Sequence, residues 1–587
     1  MLPRNRRTPA VYRHASASLP RRLSLEQLET RTLPASIFIV PMTAPVDSTH
    51  VHRLAEAVVA AGPSGLVTIE TGTTPDTATV TVAQPGITIQ GDPSASVAAL
   101  AAYNVKIGAN NVTLTHTNLN LLLIGNGFNH TIISRNTIGT LRQASAFTGD
   151  GFDLINQNTI TGIVVLTGNR DKSPANDDLS FNVFNGGRLS LQSSGGVTVR
   201  GNQFNSGGPT GAAITLANVG IQTAPVTISN NFISFAGPAG IEIDGGQPGE
   251  RFALSLLNNT ITTMGSGTGI AFVNTSTSVA FGIGSILIQG NDFPGNSVGI
   301  AILLANTPAG FMQIDLGGGR LHSLGGNNFR GFTSTGTLTS AAITLGSTAA
   351  TTSVSARNNI FSAGVDPNTV IDDGSHGSHT GAGLIDVSAP LGANAAFVQV
   401  LYNDVLGRTG TLAEVNAWGG VVASSGQAVV ANSILHSFES FARIVQGLYV
   451  HLLEREPSAA ETSAWAGFLA GGATLEQLEN AILTSPEYLS LNPNWVQSLY
   501  LNVLGRPGTD GEVAAWNAVV PTIGLSAVAS DFTSSLEARM RAATTFFQVF
   551  LHRAPTAMEA AALANVPGSI LDMEASLLSG AEFFGNG

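Results

Sequence analysis

Two carboxylates in one short segment are the first candidates for chemistry in this sequence. Ile241-Glu242-Ile243-Asp244 alternates apolar and acidic residues, which is the pattern of a strand with one buried face. Residues two apart in a strand lie on the same face about 7 Å from each other, and glycosidases place two carboxylates about 5–9.5 Å apart. Glu242 and Asp244 are therefore candidate catalytic residues, although the same pattern is typical of an ordinary solvated strand face.

The densest group of charges in the middle of the chain lies between residues 169 and 178. Carboxylates and amides of this kind can bind calcium or a sugar, so calcium is a possible cofactor here. An exposed polar loop is the simpler interpretation. The candidate carbohydrate-binding residues are Arg170, Asp171, Asp177 and Asp178.

A third group, Asp372, Asp373, His376 and His379, has spacing compatible with metal ligands. Glycine and serine residues between them favour a loop near the end of a domain, and we predict no metal site there.

Composition restricts the partners. The chain of 587 residues has a net charge of −12 at pH 7, and phosphate binding needs a positive surface, so nucleic acid is not an expected partner. The absence of cysteine excludes disulfides and cysteine-based zinc sites. No run of about 18 apolar residues occurs, so the sequence predicts no transmembrane helix.

A short phrase recurs between about residues 80 and 365: alternating apolar residues, then asparagine, then an apolar residue. The alternation predicts strands with one inward face, and the recurrence predicts a solenoid of parallel coils. We expect each asparagine to adopt the left-handed conformation at a bend, its amide to bond to the next coil, and the Ile or Phe two residues later to point inward. These asparagines are Asn136, Asn158, Asn182, Asn202, Asn231, Asn259 and Asn291.

Residues 48–62 have helical spacing and end in glycine, and would cap the open end of such a stack. Strand-like residues 65–70 follow, and then Ile87-Thr88-Ile89-Gln90-Gly91. This order resembles the start of the pectin-lyase-like superfamily over residues 47–388. The resemblance implies a mainly β fold, a right-handed parallel β-helix at 37–389. It implies no particular activity, because that fold carries lyases, hydrolases, adhesins and inert stalks.

The catalytic motifs of that superfamily are absent. The polygalacturonase-like series Asn-Thr-Asp, Asp-Asp, Gly-His-Gly and Arg-Ile-Lys does not occur in order, and the pectate-lyase-like Arg-x-Pro-x-x-Arg does not occur either. The chain has two lysines, Lys106 and Lys172, which leaves few candidates for a lyase base.

A different repeat occupies residues 390–587, in about four units. Gln399, Gln446, Gln497 and Gln548 mark equivalent positions, and Trp418, Trp465 and Trp516 follow the first three at a constant distance. This pattern closely resembles the helical repeat named domain of unknown function 4214, and implies an all-α repeat domain. We expect the tryptophans to be core residues, and the arginines at 408, 455 and 506 to cap helices or pair locally.

Residues 1–36 form a basic leader with seven arginines and no aspartate, the composition of a targeting segment. Residues 25–33 resemble the Leu-Glu-x-Arg-x-Leu element at the start of many large exported bacterial proteins. That resemblance implies a secreted or cell-surface location.

Together these features predict a non-catalytic secreted or cell-surface protein. Its β-helix would be a stalk or glycan-facing surface, and its helical repeats an attachment or assembly module, with polysaccharide or other envelope components as partners. The alternative is a polysaccharide lyase or glycoside hydrolase acting on the β-helix groove. A calcium-dependent adhesin is a third hypothesis.

Overall fold

The structure is a computed structural model. It describes residues 35–586 except 94, 126–127, 129, 144–152, 168–176, 207–210, 221–224, 245–251, 264–266, 274–283, 295–298, 305–311, 333–340, 346–352, 374–383, 454 and 552. Nearly all of the basic leader, and with it the export element, therefore lies outside the described residues. So do Arg170, Asp171, His376 and His379.

The first part of the chain is a parallel β-solenoid. One face is a sheet of 15 strands, each paired in parallel with its neighbours. In spatial order these strands are His50–Val51, Ser36–Ile39, Leu66–Ile69, Thr88–Gly91, Thr113–Thr115, Ile132–Ser134, Leu154–Asn156, Asp178–Ser180, Thr198–Arg200, Val226–Ser229, Ala253–Leu257, Gly284–Gln289, Met312–Gly317, Ser353–Ala356 and Leu384–Asp386.

The remaining strands form two further faces. Two long strands, Asn118–Ile124 and Thr137–Gln143, each contribute to both faces. In the later coils the equivalent residues form two separate strands, a short one on one face and a longer one on the other. The short strands are Thr159–Ile160, Val183–Asn185, Gln203–Ser206, Phe232–Phe235 and Thr260–Thr263. The longer stack comprises Val80–Val82, Ala102–Ile107, Ile163–Thr167, Arg188–Gln192, Ile214–Ala217, Ala239–Asp244, Thr268–Val273, Ile300–Leu304, Ala341–Leu345 and Ile371–Asp372.

Parallel stacking in register explains the solenoid core. Each strand places its apolar residues over those of the coil below, about 4.8 Å away, so apolar residues form continuous inward columns. One column begins Val105, Leu122, Leu141 and Val164, all of them buried. The predicted inward Ile or Phe after each asparagine is confirmed, and Phe184 stacks on Phe204 with ring centroids 4.2 Å apart.

The asparagines form a buried ladder, as predicted, but they are not the left-handed residues. The Asn182 side chain donates to the Oδ1 of Asn202 at 2.9 Å, and the backbone N of Asn182 donates to the same oxygen at 2.9 Å. Positive φ belongs instead to the residue just before each ladder position. The ladder residue needs its amide turned inward, so the preceding residue makes the bend. Beyond the seven predicted positions the ladder includes Asn327 and Asn359.

Helix α1 (Leu54–Ala61) covers the N-terminal end of the solenoid and confirms the predicted cap. Its buried residues are Leu54, Ala57, Val58 and Ala61, and the helix ends at Gly62 with φ of 65°. The helix is shorter than the 48–62 segment, because His50–Val51 pairs as a strand with Ser36–Ile39.

The rest of the chain is helical. The helices are α2 (Ala393–Asp404), α3 (Leu412–Ser425), α4 (Gln427–Leu435), α5 (Phe438–Leu453), α6 (Ala459–Ala470), α7 (Leu475–Leu483), α8 (Pro486–Leu491), α9 (Trp495–Leu499), α10 (Asp510–Ile523), α11 (Leu525–Thr533), α12 (Leu536–Phe550), α13 (Ala557–Ala564), α14 (Ile570–Leu578) and α15 (Ala581–Asn586). A π-helical turn, Tyr500–Leu504, continues α9.

The helices do not form an open row. Helix α4 packs against α14, and α7 packs against both α11 and α14. The end of the chain thus returns to its first helical unit, where the Phe397 and Phe584 rings lie 5.2 Å apart. Among the described residues, no helix combines the length and the apolar character required to cross a membrane.

The arginines predicted to pair locally do so in each unit. Arg408 bridges Glu414, at the start of α3, and Glu439, at the start of α5. Its guanidinium lies over the Tyr402 ring, 4.8 Å from the centroid. The same arrangement recurs at Arg455, Arg506 and Arg553. We call each such group an arginine clamp. The tryptophans pack against the helical core, as predicted.

Candidate functional site

Glu242 and Asp244 lie on the strand Ala239–Asp244, both half-buried, with Ile241 and Ile243 turned into the core. This is the orientation that the alternation predicts. Burial raises the pKa of Glu242, and the neighbouring Asp244 carboxylate raises it further. A carboxyl group with a raised pKa next to a second carboxylate is the electrostatic pattern of a general acid and its partner.

The surroundings of this pair offer little further chemistry. A groove that acts on a glycan chain needs groups on several adjacent coils, to hold the sugar and to stabilise developing charge. The described residues in register with the two carboxylates on the adjacent coils are all uncharged and non-aromatic: Thr215, Ala217, Ala271 and Val273.

Asp177 and Asp178 are adjacent but have different surroundings. Asp177 is buried rather than exposed on a loop, and its Oδ1 accepts a hydrogen bond from the backbone N of Asp153 at 3.2 Å. Burial raises the pKa of Asp177 to about 8, and the Asp153 carboxyl group contributes to the rise. Asp178 pairs with Arg200 at 2.9 Å. Asp177 is thus an interior residue, and Asp178 forms part of a contact described below.

The acidic pair Asp372 and Asp373 is fully buried near the last coil. Asp373 accepts a hydrogen bond from the backbone N of Ile385 at 3.1 Å. Within the described part of the chain, no three His, Asp or Glu side chains are grouped to hold a metal ion.

The helical region docks along one edge of the solenoid. That edge is formed by the residues that directly precede the ladder positions, all of positive φ, which we call the corner row: His116, Arg135, Gln157, Phe181, Gly201, Asn230, Asn258, Gly290, Gly326 and Asn358. A left-handed residue directs its side chain away from the ladder residue that follows it. Hydrogen bonds with the helices reach corner-row residues between Gln157 and Gly326.

Hydrogen bonds join the two regions at the C-terminal coils. Asn258 donates to the carbonyl oxygen of Gly407 at 3.0 Å, and Asn403 donates to that of Gly290 at 3.3 Å. A β-carbon at Gly290 would lie 2.7 Å from the hydroxyl oxygen of Thr409. Oδ1 of Asn258 on the neighbouring coil would be closer still, at 2.1 Å, so the solenoid and the helices together leave room only for glycine at this point of the corner row.

The middle coils contribute a charged contact. Arg200 bridges Asp178 of its own solenoid and Glu456 of the helical region, with Nη2 2.9 Å and 2.7 Å from the two carboxylates. Further along, Gln157 donates to the backbone oxygen of Val450 at the end of α5. The helical units thus follow the corner row from the last coils towards the first.

Two cavities lie along this contact. The smaller, about 430 Å³, includes Asn230 of the corner row together with Glu439, Arg443 and Glu456. The larger, about 770 Å³, we call the seam groove. On the solenoid side it is lined by Gln90, Gly91, Pro93, Ala95, Ser96, Val97, Thr115, His116, Arg135, Gln157, Phe181 and Val183. On the helical side it is lined by Gly447, Val450, His451, Ser490, Leu491, Asn492, Pro493, Asn494, Gln497, Ser498, Leu501, Asn502 and Pro507.

The seam groove has a mixed lining of apolar side chains, amides and a few basic residues. Its described lining residues include Arg135, His116 and His451 and contain no aspartate or glutamate. His451 lines the groove between the two regions. Burial lowers the pKa of its imidazole, and the Arg541 and Arg135 guanidinium groups lower it further. The lowered pKa favours the neutral imidazole of His451, and Arg135 is the arginine among the described lining residues of the groove.

Sequence reasoning missed this groove. Every ladder phrase contains the residue that precedes its asparagine, but that residue varies between Arg, Gln, Phe, Gly and Asn, so it looks like an unconstrained turn position. The helical residues of the groove lie about 300 positions later in the chain. The one available signal was the excess of bulky or basic residues in the early corner row, where glycine and asparagine would satisfy the turn.

Comparison with known proteins assigns neither a family nor a function to the chain. No protein-family model matches the chain, and no curated protein is similar to it in sequence.

Proposed function

We propose that the chain is a non-catalytic secreted or cell-surface protein, in which the solenoid is a rigid, glycan-facing scaffold and the helical repeats are an attachment or assembly module. The proposal includes its finer classification, a right-handed pectin-lyase-like β-helix followed by repeats of the domain of unknown function 4214 type. The location rests on the basic leader and its Leu-Glu-x-Arg element.

One observation carries the non-catalytic part of this proposal. The strand face that bears Glu242 and Asp244 has uncharged, non-aromatic residues in register on both adjacent coils. Catalysis on a polysaccharide needs several groups around the scissile bond that stabilise the charge of the transition state. The described residues of this face supply only the two carboxylates.

The docked arrangement of the two regions supports the scaffold part. A solenoid gains stability from contacts between neighbouring coils, and here a second repeat array also contacts coils from Gln157 to Gly326. Bracing along several coils resists local opening and suits a protein that holds a binding surface at a fixed geometry.

One observation favours the alternative function, a polysaccharide lyase or glycoside hydrolase. The raised pKa of Glu242 beside Asp244 suits a proton donor for a glycosidic oxygen.

A polysaccharide panel tests the proposal. The full chain is incubated with neutral and acidic polysaccharides, with and without calcium, and the assay follows binding, new reducing ends and the absorbance of unsaturated products. We expect binding without product. Product that is lost in Glu242→Gln but kept in Glu56→Gln, an exposed carboxylate of α1, would establish the enzyme instead.

A further inference from the structure

We infer that the seam groove is the docking site for residues 23–33 of the same chain, which we call the leucine segment. This segment belongs to the basic leader, outside the described residues, and it contains the Leu-Glu-x-Arg element. The inference rests on the proposed function in one respect, that residues 25–33 are an export element. It adds a mechanism that controls when this element is accessible.

The exposed lining of the groove is mainly apolar. Leu491 and Leu501 are 40% and 47% exposed there, and Pro93, Pro493 and Val97 extend the apolar surface. The groove volume is about 770 Å³. Apolar side chains that stay exposed together, in a groove of this size between two structural units, mark a binding site for another apolar surface.

The composition of the leucine segment matches this lining. Four of its eleven residues are leucines: Leu23, Leu25, Leu28 and Leu33. The segment carries two glutamates and one arginine, whereas residues 1–22 carry six arginines and no acidic residue. Because no carboxylate occurs among the described lining residues, the two glutamates of the segment would meet no like charge there. The leucine segment is therefore the part of the leader that suits the groove.

The first strand of the solenoid lies within reach of the groove. Its Ile39 pairs with Ile69, which pairs with Gly91 of the groove lining. Two coil spacings of about 4.8 Å and three residues along the strand place Ser36 about 14 Å from Gly91. Leu28 precedes Ser36 by eight residues, and eight extended residues span about 26 Å. The leucine segment can therefore reach the groove without any change in the described strands.

Attachment to the first strand favours this occupant over a separate molecule. A segment tethered within reach binds in an intramolecular step, with an effective concentration on the order of millimolar. A peptide from another protein lacks this advantage. It also finds no unpaired strand edge beside the groove, because Thr88–Gly91 and Thr113–Thr115 are paired on both sides. The expected occupant is therefore the leader of the same chain.

Docking makes the accessibility of the export element depend on folding. The groove combines solenoid residues between Gln90 and Val183 with helical residues between Gly447 and Pro507, so it exists only after both regions have folded and met. Residues 25–33 are then accessible on the unfolded chain and covered in the folded protein. The element can therefore be recognised before the chain folds and not afterwards.

Disulfide crosslinking of the full chain tests the contact, because a chain without cysteine offers no competing thiol. Leu28→Cys is combined with Leu501→Cys in the groove or, as the control, with Val59→Cys. Val59 is 72% exposed on α1, which packs against the first strand, so an undocked leader would meet it at least as often. We expect the disulfide with Leu501→Cys to form at least tenfold faster, within one chain, as measured by mass spectrometry. Equal rates overturn the inference, and so do disulfides that join only separate chains.

Removal of leucines from the leader tests whether the segment covers the groove. In the double variant Leu25→Ser/Leu28→Ser we expect amide hydrogen exchange across residues 490–502 to become at least threefold faster, because the segment no longer covers them. The control, Leu19→Ser, changes a leucine in the arginine-rich part of the leader and should leave exchange unchanged. Equal exchange in the double variant and the wild type overturns the inference. Failure of docking leaves the proposed function intact, and release of product from a polysaccharide leaves the docking result intact.

Discussion

The solenoid joins its coils through buried, uncharged asparagines, whereas the helical region joins its helices through partly exposed arginines and glutamates. Asn202 is fully enclosed and exchanges amide hydrogen bonds of 2.9 Å with Asn182 and Asn231. Arg408 keeps 38% of its side chain exposed while it pairs with Glu414 and Glu439. Both devices recur once per repeat, but one excludes water and the other stays in contact with it.

The difference follows from the distance between repeats. Solenoid coils are about 4.8 Å apart, so a group that recurs on every coil must tolerate its own copy as a neighbour. An amide does so because it donates on one side and accepts on the other. Carboxyl groups do not, as Asp153 and Asp177 show: they occupy adjacent coils in the core, and burial raises the pKa of both. Helical units are farther apart, so each clamp can hold its own charges.

The largest expected effect comes from breaking the ladder. Asn202→Ala removes the acceptor for the backbone and side chain of Asn182, and the donor to the carbonyl oxygen of Leu179. A buried polar group without a partner costs about 1–3 kcal/mol, so we expect a loss of about 4 kcal/mol. Hydrogen exchange of the coils around Asn202, followed by mass spectrometry, measures it.

Asn205→Ala is the matched control for this prediction. Asn205 lies three residues away, and its side-chain amide donates a solvent-facing hydrogen bond to Oδ1 of Asn185 at 3.1 Å. We expect a change below about 1 kcal/mol, because water replaces a lost exposed hydrogen bond. Equal losses for Asn202→Ala and Asn205→Ala would mean that burial of the ladder does not determine its strength.

A smaller effect, with a distinctive pH dependence, is expected for Asp177→Asn. The folded pKa of Asp177 is about 8, above the usual value near 3.9, so the folded chain binds the proton more tightly and loses stability as the pH rises between those values. One proton corresponds to about 1.4 kcal/mol per pH unit. Because the group is half-ionised at pH 8, we expect Asp177→Asn to gain about 2 kcal/mol relative to the wild type on going from pH 6 to pH 8, measured by urea unfolding.

Asp178→Asn provides the comparison. Its side chain pairs with Arg200, so we expect a small loss at both pH values and no gain at pH 8. An Asp177→Asn variant whose stability has the same pH profile as the wild type would show that Asp177 titrates normally in the folded chain.

Prediction from sequence succeeded where one residue type repeats at one position and failed where a position varies. The ladder asparagines and the inward Ile and Phe residues are visible in the sequence because stacking in register favours the same residue type at the same position of every coil. The corner row varies, and those of its residues that contact the helices, such as Gln157, Asn258 and Gly290, meet different parts of the helical region. Its role depends on contacts between residues about 300 positions apart, such as Gln157 and Val450, and no local pattern encodes such a contact. Local pairing of the arginines was predictable because one partner is near in sequence, as Glu414 is to Arg408, whereas the second partner, Glu439, lies 31 residues away.

The smallest expected effect comes from the clamp. A double-mutant cycle of Arg408→Gln and Glu414→Gln should give a coupling energy of about 1 kcal/mol or less, because both side chains are partly exposed and water and salt screen such pairs. Arg408 also holds the pKa of Glu414 at about 2. The stabilisation by this ion pair is therefore present above the ordinary glutamate pKa of about 4.3 and fades as the pH falls towards 2, the reverse of the dependence expected for Asp177.

Urea unfolding of the four proteins at pH 7 and pH 3, in low salt and in 1 M NaCl, measures the coupling. A coupling as large as the Asn202→Ala loss, or one that is insensitive to salt and acid, would mean that the clamps behave like the ladder and that exposure to water does not separate the two devices.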